Sequence, residues 1–153
     1  VVCWEEKAVP GIVVGVDGSP NSERALDWAL RLGGRLDTSV TVIAVHEVAK
    51  SYWGNEPVVG PADAPLLDQL QRAAEEMTQR AVSRLSDAKP ESVHVRASTG
   101  FVVQELVDGS RDADMLVLGS HGLRGLARLV MGSVGHEVVQ HSASPVVIVP
   151  HER

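Results

Sequence analysis

The residues best placed to do chemistry are Gly119, Gly122, Gly132 and Ser133, in the stretch "GSHGLRGLARLVMGSV" (119–134). Gly119 and Gly122 stand three apart, and nine residues separate Gly122 from Gly132-Ser133. Glycine lets a backbone take unusual dihedrals and approach a ligand closely. A helix N-terminus offers unpaired N–H groups and roughly half a positive charge, which suits an anion. Ser133 adds a hydroxyl at that point, and Arg124 and Arg128 lie in the insert between the glycine clusters. The pattern therefore suits a polyphosphate held between two backbone segments. Taken singly, each glycine reads better as a turn residue and each arginine as a solvated cation. The reading rests on their spacing together with the strand before and the helix after. No Gly-Lys-Ser/Thr occurs, so this is not a P-loop. Nor do the glycines fall within the single six-residue turn of a dinucleotide fingerprint.

Such a cradle needs strands to aim the loops. "GIVVGVDGS" (11–19) reads as a buried strand entering an Asp-Gly turn, with Ser19 as N-cap and Pro20 as first residue of a helix. Ala25, Trp28, Ala29 and Leu32 share one face of that helix, and Gly33-Gly34 is expected to stop it. "VTVIAV" (40–45) is a second strand. Residues 49–65, rich in Gly, Pro and small side chains, read as a long variable or mobile surface loop carrying Tyr52 and Trp53. Leu66, Leu70, Ala73, Met77, Ala81 and Leu85 form the apolar stripe of an amphipathic helix. "SVHVRA" (92–97) is a strand, "FVVQELVDGS" a helix ending near Ser110, and "DMLVLGSHG" a buried strand running into glycine. "SVGHEVVQHS" begins the last helix and "SPVVIVP" (144–150) is the last strand.

Strands alternating with helices call for one α/β domain over residues 1–153, an open five-stranded parallel sheet covered by helices on both faces. In such sheets ligands bind beyond the carboxyl ends of the strands, where strand order reverses. With the order 3-2-1-4-5, "VGVDGS" and "LVLGSHG" meet at that reversal.

Bulk properties limit the partners. The chain has 153 residues, 44% of them hydrophobic and only 3% aromatic, so its core must be aliphatic. A net charge of −6 argues against general affinity for nucleic acid or an anionic membrane. No run approaches the ~20 apolar residues that span a bilayer, and "VVCWEEKAVPG" lacks the pattern of a signal peptide. Cys3 is the only cysteine, so no internal disulfide forms, and a reduced cytoplasmic setting is expected.

The glycine stretch matches G-x2-G-x9-G-[S/T] at Gly119, Gly122, Gly132 and Ser133, and so resembles the ATP-binding motif of the universal stress protein family. The likeness runs from "IVVGVDGSPNSERALDWA" through "DMLVLGSHG" to "SPVVIVP". It implies a Rossmann-like, adenine-nucleotide-binding fold of strand order 3-2-1-4-5. It also implies that Asp17 lies by the nucleoside, that the Val45 backbone meets adenine, and that Gly119 lies near the ribose. Gly122, Gly132 and Ser133 would contact phosphates, and the last strand, Val146–Pro150, would mediate a homodimer. An apolar edge strand invites such a partner on physical grounds also.

Other residues admit two readings each. Asp17 is either a turn residue or a nucleoside contact, and His121 either faces phosphate or is a solvated loop histidine. Arg128 is the insert cation assigned to the phosphates. His46 is expected on the surface, Trp28 in the core, and Tyr52 and Trp53 over the nucleotide or at a dimer contact. His136 and His141, five apart, suit no shared metal site. Asp108, Asp112 and Asp114 read as a helix end and solvated turn, so Mg²⁺ would arrive with the nucleotide phosphates. Fast phosphoryl transfer needs a positioned base and strong cationic stabilisation. The sequence offers no paired carboxylates and no Walker lysine, hence no assigned catalytic residue. The expectation is an ATP-binding stress-response or signalling module with at most slow hydrolysis. The alternatives are a weak ATPase or adenylyl-transfer enzyme, and a module for AMP or cyclic AMP.

Overall fold

The computed structural model of the chain describes residues 10–47, 51–53, 56–58, 64–121 and 131–151. In chain order these give β1 (Ile12–Val16), α1 (Pro20–Leu36), β2 (Val40–Glu47), β3 (Ser51–Trp53) and β4 (Glu56–Val58). There follow α2 (Ala64–Ser83), β5 (Val93–Gly100), α3 (Val102–Gly109), β6 (Met115–Gly119), α4 (Ser133–His141) and β7 (Val146–Val149). The main sheet is all parallel, in the order β5-β2-β1-β6-β7, which is 3-2-1-4-5 for its own strands.

Period-two alternation divides the core between the two faces of this sheet. Ile12, Val14 and Val16 join Val40, Val42, Ala44 and Val117 against Ala25, Leu26, Ala29 and Leu30 of α1 and Ala74, Met77 and Ala81 of α2. Val13, Ile43, Leu116 and Leu118 turn the other way, against Leu106 of α3 and Val138 of α4. Helices thus cover both faces, as the apolar runs of the central strands require. Trp28 packs half-buried against the first cluster.

α1 begins where Ser19 and Pro20 say it should. The Ser22 N–H donates to Ser19 Oγ at 3.2 Å, and proline occupies the first helical position. Its end differs from expectation: the helix runs through Gly33-Gly34 and stops at Asp37, which takes the left-handed conformation (φ 50°). Close packing is why those positions are glycine. A β-carbon on Gly33 would lie 2.5 Å from Val40 Cγ2, and one on Gly34 would collide with the Ala88 carbonyl.

The stripe of α2 is also corrected. Ala74, Met77, Thr78 and Ala81 are buried, Leu70 is half-buried, and Leu66 and Ala73 are exposed. Thr78 can join the core because its hydroxyl donates to the Ala74 carbonyl at 2.7 Å. Leu85 packs against the core from the turn beyond the helix end. Within 49–65, expected as loop, β3 and β4 pair antiparallel as a hairpin, and α2 starts at Ala64. β2 and β5 each extend further towards their carboxyl ends than the apolar runs indicated. Among the described residues no helix is long and apolar enough to cross a membrane.

Candidate functional site

The strand order reverses between β1 and β6, so the carboxyl ends of these two strands flank the switch point. β1 leads into Asp17-Gly18-Ser19. The Ser19 N–H donates to Asp17 Oδ1 at 2.9 Å, and Gly18 has φ +81°, a conformation glycine takes without strain. The Asp17 N–H in turn donates to Ser22 Oγ at 3.3 Å, and Ser22 Oγ donates to the Ser19 carbonyl at 2.9 Å. Buried Ser19 and Ser22 therefore tie the loop to the first turn of α1 and leave Asp17 and Gly18 exposed at the sheet's rim.

β6 ends in Gly119, packed against that same turn: a β-carbon there would lie 2.7 Å from the Asn21 carbonyl oxygen. The Ser120 N–H donates to the Val149 carbonyl at 2.9 Å, so the chain stays in register with β7 one residue past the strand. The Gly132 N–H returns to the Ser120 carbonyl at 2.6 Å, joining the start of α4 to the end of β6. Gly119, Ser120, His121, Gly132 and Ser133 are thereby brought together beside the β1 loop, although ten residues separate His121 from Gly132 in the chain.

The N-cap of α4 is Gly132, which has no side chain to give, so among the described residues no side-chain hydrogen bond caps the N-terminus of this helix. Gly132 has φ −68°, open to any residue, and among the described residues a β-carbon there would meet nothing nearer than the Ser120 carbonyl oxygen at 3.5 Å. Packing demands glycine at 119, whereas at 132 no described residue outside the glycine's own neighbours demands it. Ser133 is exposed at the first helical position.

His121 is 8% exposed, which removes the solvated-loop reading. Its Nδ1 lies 3.1 Å from Ser120 Oγ, its Nε2 is buried with no hydrogen-bond partner among the described residues, and its ring meets that of His151 edge to face, centroids 5.4 Å apart. Val45 stands half-buried on β2, and the pairing of Val16 with Ala44 sets it beside Asp17 at the same rim. His46 is exposed. Gly122, Arg124 and Arg128 lie outside the described residues. Sequence reasoning missed Asn21, Ser22 and His151. Ser22, three after the N-cap serine, carried a legible local signal, whereas the contacts of Asn21 and His151 join distant parts of the chain.

Asp108, at the end of α3, accepts from Gln104 Nε2 at 2.8 Å and from Arg111 Nη2 at 2.9 Å. First the Gln104 bond and then Arg111 hold its carboxyl below the usual range. Among the described residues no group of three or more His, Cys, Asp or Glu could hold a metal ion.

Comparison with known proteins agrees with this geometry. The model of the universal stress protein family matches residues 11–150. Universal stress protein Rv1996 of Mycobacterium tuberculosis (strain H37Rv) is 30% identical over 155 residues, covering 93% of this chain and 48% of its own. The chain spans about half the length of the mycobacterial relatives it matches. Universal stress protein UspA from Lactobacillus plantarum superposes with a TM-score of 0.73 at 22% identity, over 94% of this chain and 99% of that one. A universal stress protein solved in complex with cAMP gives a TM-score of 0.63 at 27% identity, over 94% of this chain and 98% of that one.

Proposed function

The chain belongs to the universal stress protein family, and from that premise we propose that it is an ATP-binding stress-response module. One observation carries the reading. α4 starts at Gly132, a glycine that no described residue's packing requires, beside the Ser120-His121 rim of the switch point. A missing β-carbon there leaves the first-turn N–H groups approachable, and those groups attract anions.

In this reading the phosphates sit on the first turn of α4 and on the Ser133 hydroxyl, with Gly122 and Arg128 closing from the insert. The ribose lies by Gly119 and Asp17, and adenine meets the backbone at Val45. Nε2 of His121, with no partner among the described residues, is a further contact for a phosphate oxygen. Mg²⁺ is bound chiefly by the phosphates, since it keeps several waters and takes few protein ligands. Two copies pair through β7 in the cytoplasm. In this reading the residues bind and orient the nucleotide, with at most slow hydrolysis. The cAMP held by a relative supports a second reading, in which a mononucleotide occupies the same rim.

The test begins with purified protein, denatured to release any carried nucleotide for chromatography. Nucleotide-free, refolded protein is then titrated calorimetrically with ATP, ADP, AMP and cyclic AMP, with and without Mg²⁺. Saturable ATP binding that exceeds binding of the monophosphates supports the proposal. Preference for AMP or cyclic AMP supports the second reading, and a folded protein that binds none of the four refutes both.

A further inference from the structure

We propose that Gln71 is an edge lock, which occupies the outer rim of β5 as an added strand would and so denies that edge to a second copy of the chain. β5 and β7 are the two edge strands of the main sheet. Unpaired N–H and C=O groups on an edge are a template for another strand. At β5 the side chain of Gln71, on α2, meets that template. Gln71 Nε2 donates to the Val95 carbonyl at 3.0 Å, and Gln71 Oε1 accepts from the Ala97 N–H at 2.6 Å. A carbonyl at one position and an N–H two positions on are the pair that a residue of a parallel neighbour engages. One side-chain amide here does the work of one such residue.

The amide cannot turn over. Its second N–H donates to Glu75 Oε1 at 2.7 Å, four residues along the helix, so both donors and the acceptor are used. Flipped, Oε1 would face the Val95 carbonyl and the Glu75 carboxylate, and Nε2 would face the Ala97 N–H. The helix holds the side chain in place through its neighbours Leu70 and Ala74, which pack in the core. The other edge has no such device: among the described residues no side chain bonds to the backbone of Val146–Val149.

Two open edges in one parallel sheet would allow β7 of one copy to add to β5 of the next, a head-to-tail contact that repeats without closing. Locking β5 leaves β7 as the edge a second copy can extend. This consequence rests on pairing through β7, whereas the lock itself does not.

Two variants of the full chain test it. Gln71→Leu keeps size and helix propensity and removes both bonds; Gln71→Glu keeps the acceptor for Ala97 and loses the donor. Amide exchange at Ala97 is followed by NMR, and assembly by sedimentation over a concentration series, each against wild type. The lock predicts exchange at Ala97 roughly five- to tenfold faster in Gln71→Leu. It also predicts species larger than any the wild type forms, growing with concentration. Gln71→Glu, usable if the leucine variant does not fold, shows the larger species with Ala97 still partly protected. A lower melting temperature in either variant without larger species would assign Gln71 to anchoring α2 alone and overturn the lock. A wild type that stays monomeric counts against pairing through β7 and leaves the comparison between variant and wild type intact.

Discussion

Gly119 and Asn21 are held so close that only hydrogen fits between them: a β-carbon on Gly119 would lie 2.7 Å from the Asn21 carbonyl oxygen. The contact clamps the end of β6 onto the first turn of α1 and so sets the width of the switch point. Gly132, the other described glycine of the same motif, has no such neighbour among the described residues. The two glycines therefore differ in their packing, and the proposal gives Gly132 the open approach to phosphate.

Gly119→Ala should destabilise the fold by about 1–3 kcal/mol, because backbone rather than a flexible side chain must give way. Denaturant unfolding of the variant beside wild type reads this as a lower midpoint at unchanged slope. An unchanged midpoint would show that the β6–α1 contact is looser than described.

Gly132→Ala should leave stability within about 0.5 kcal/mol of wild type, since its φ is ordinary and no described residue crowds it. The same unfolding experiment distinguishes it from Gly119→Ala. Equal losses at the two positions would end the distinction between them.

Gly34→Ala reverses what helix propensity predicts. Alanine inside a helix gains about 1 kcal/mol over glycine, but here its β-carbon would meet the Ala88 carbonyl. The variant should melt lower than wild type by several degrees, and a higher melting temperature would contradict the packing.

Asp108 gives a pH dependence of definite sign. Its carboxyl is held below the usual range in the folded state, first by Gln104 and then by Arg111. The stabilisation is therefore fully present above the unfolded value, about 3.9, and is lost as pH falls below it through the lower folded value. The group is exposed, so the effect is small. Melting curves of wild type and Asp108→Asn should converge as pH is lowered from 5 to 3, and a constant difference would exclude the linkage.

The sequence shows the main sheet clearly, because parallel strands covered on both faces read as apolar runs, and Ser19-Pro20 announces α1 through local geometry alone. What it hides depends on contacts between distant residues. Gly34 looks like a helix stop until Ala88 is seen against it, and Thr78 looks too polar for the core until its hydroxyl is seen bonded to the Ala74 carbonyl. His121 looks like a loop residue until β7 brings His151 beside it. Gln71 carries no local signal, since its partners Val95 and Ala97 lie on another element. The spacing singles out Gly119, Gly132 and Ser133, which the fold brings together, while the different packing of the two glycines leaves no mark in the sequence.

The most direct test of the central claim is calorimetric titration of Gly132→Glu with Mg²⁺-ATP beside wild type, after its fold is checked by circular dichroism and melting. The carboxylate would sit at the N-terminus of α4, where it competes with phosphate for the first-turn N–H groups. It requires no change in the backbone, because φ at this position is −68°. Saturable binding by wild type and none by the folded variant is the predicted result. Unchanged affinity in the folded variant would show that phosphate does not bind at α4.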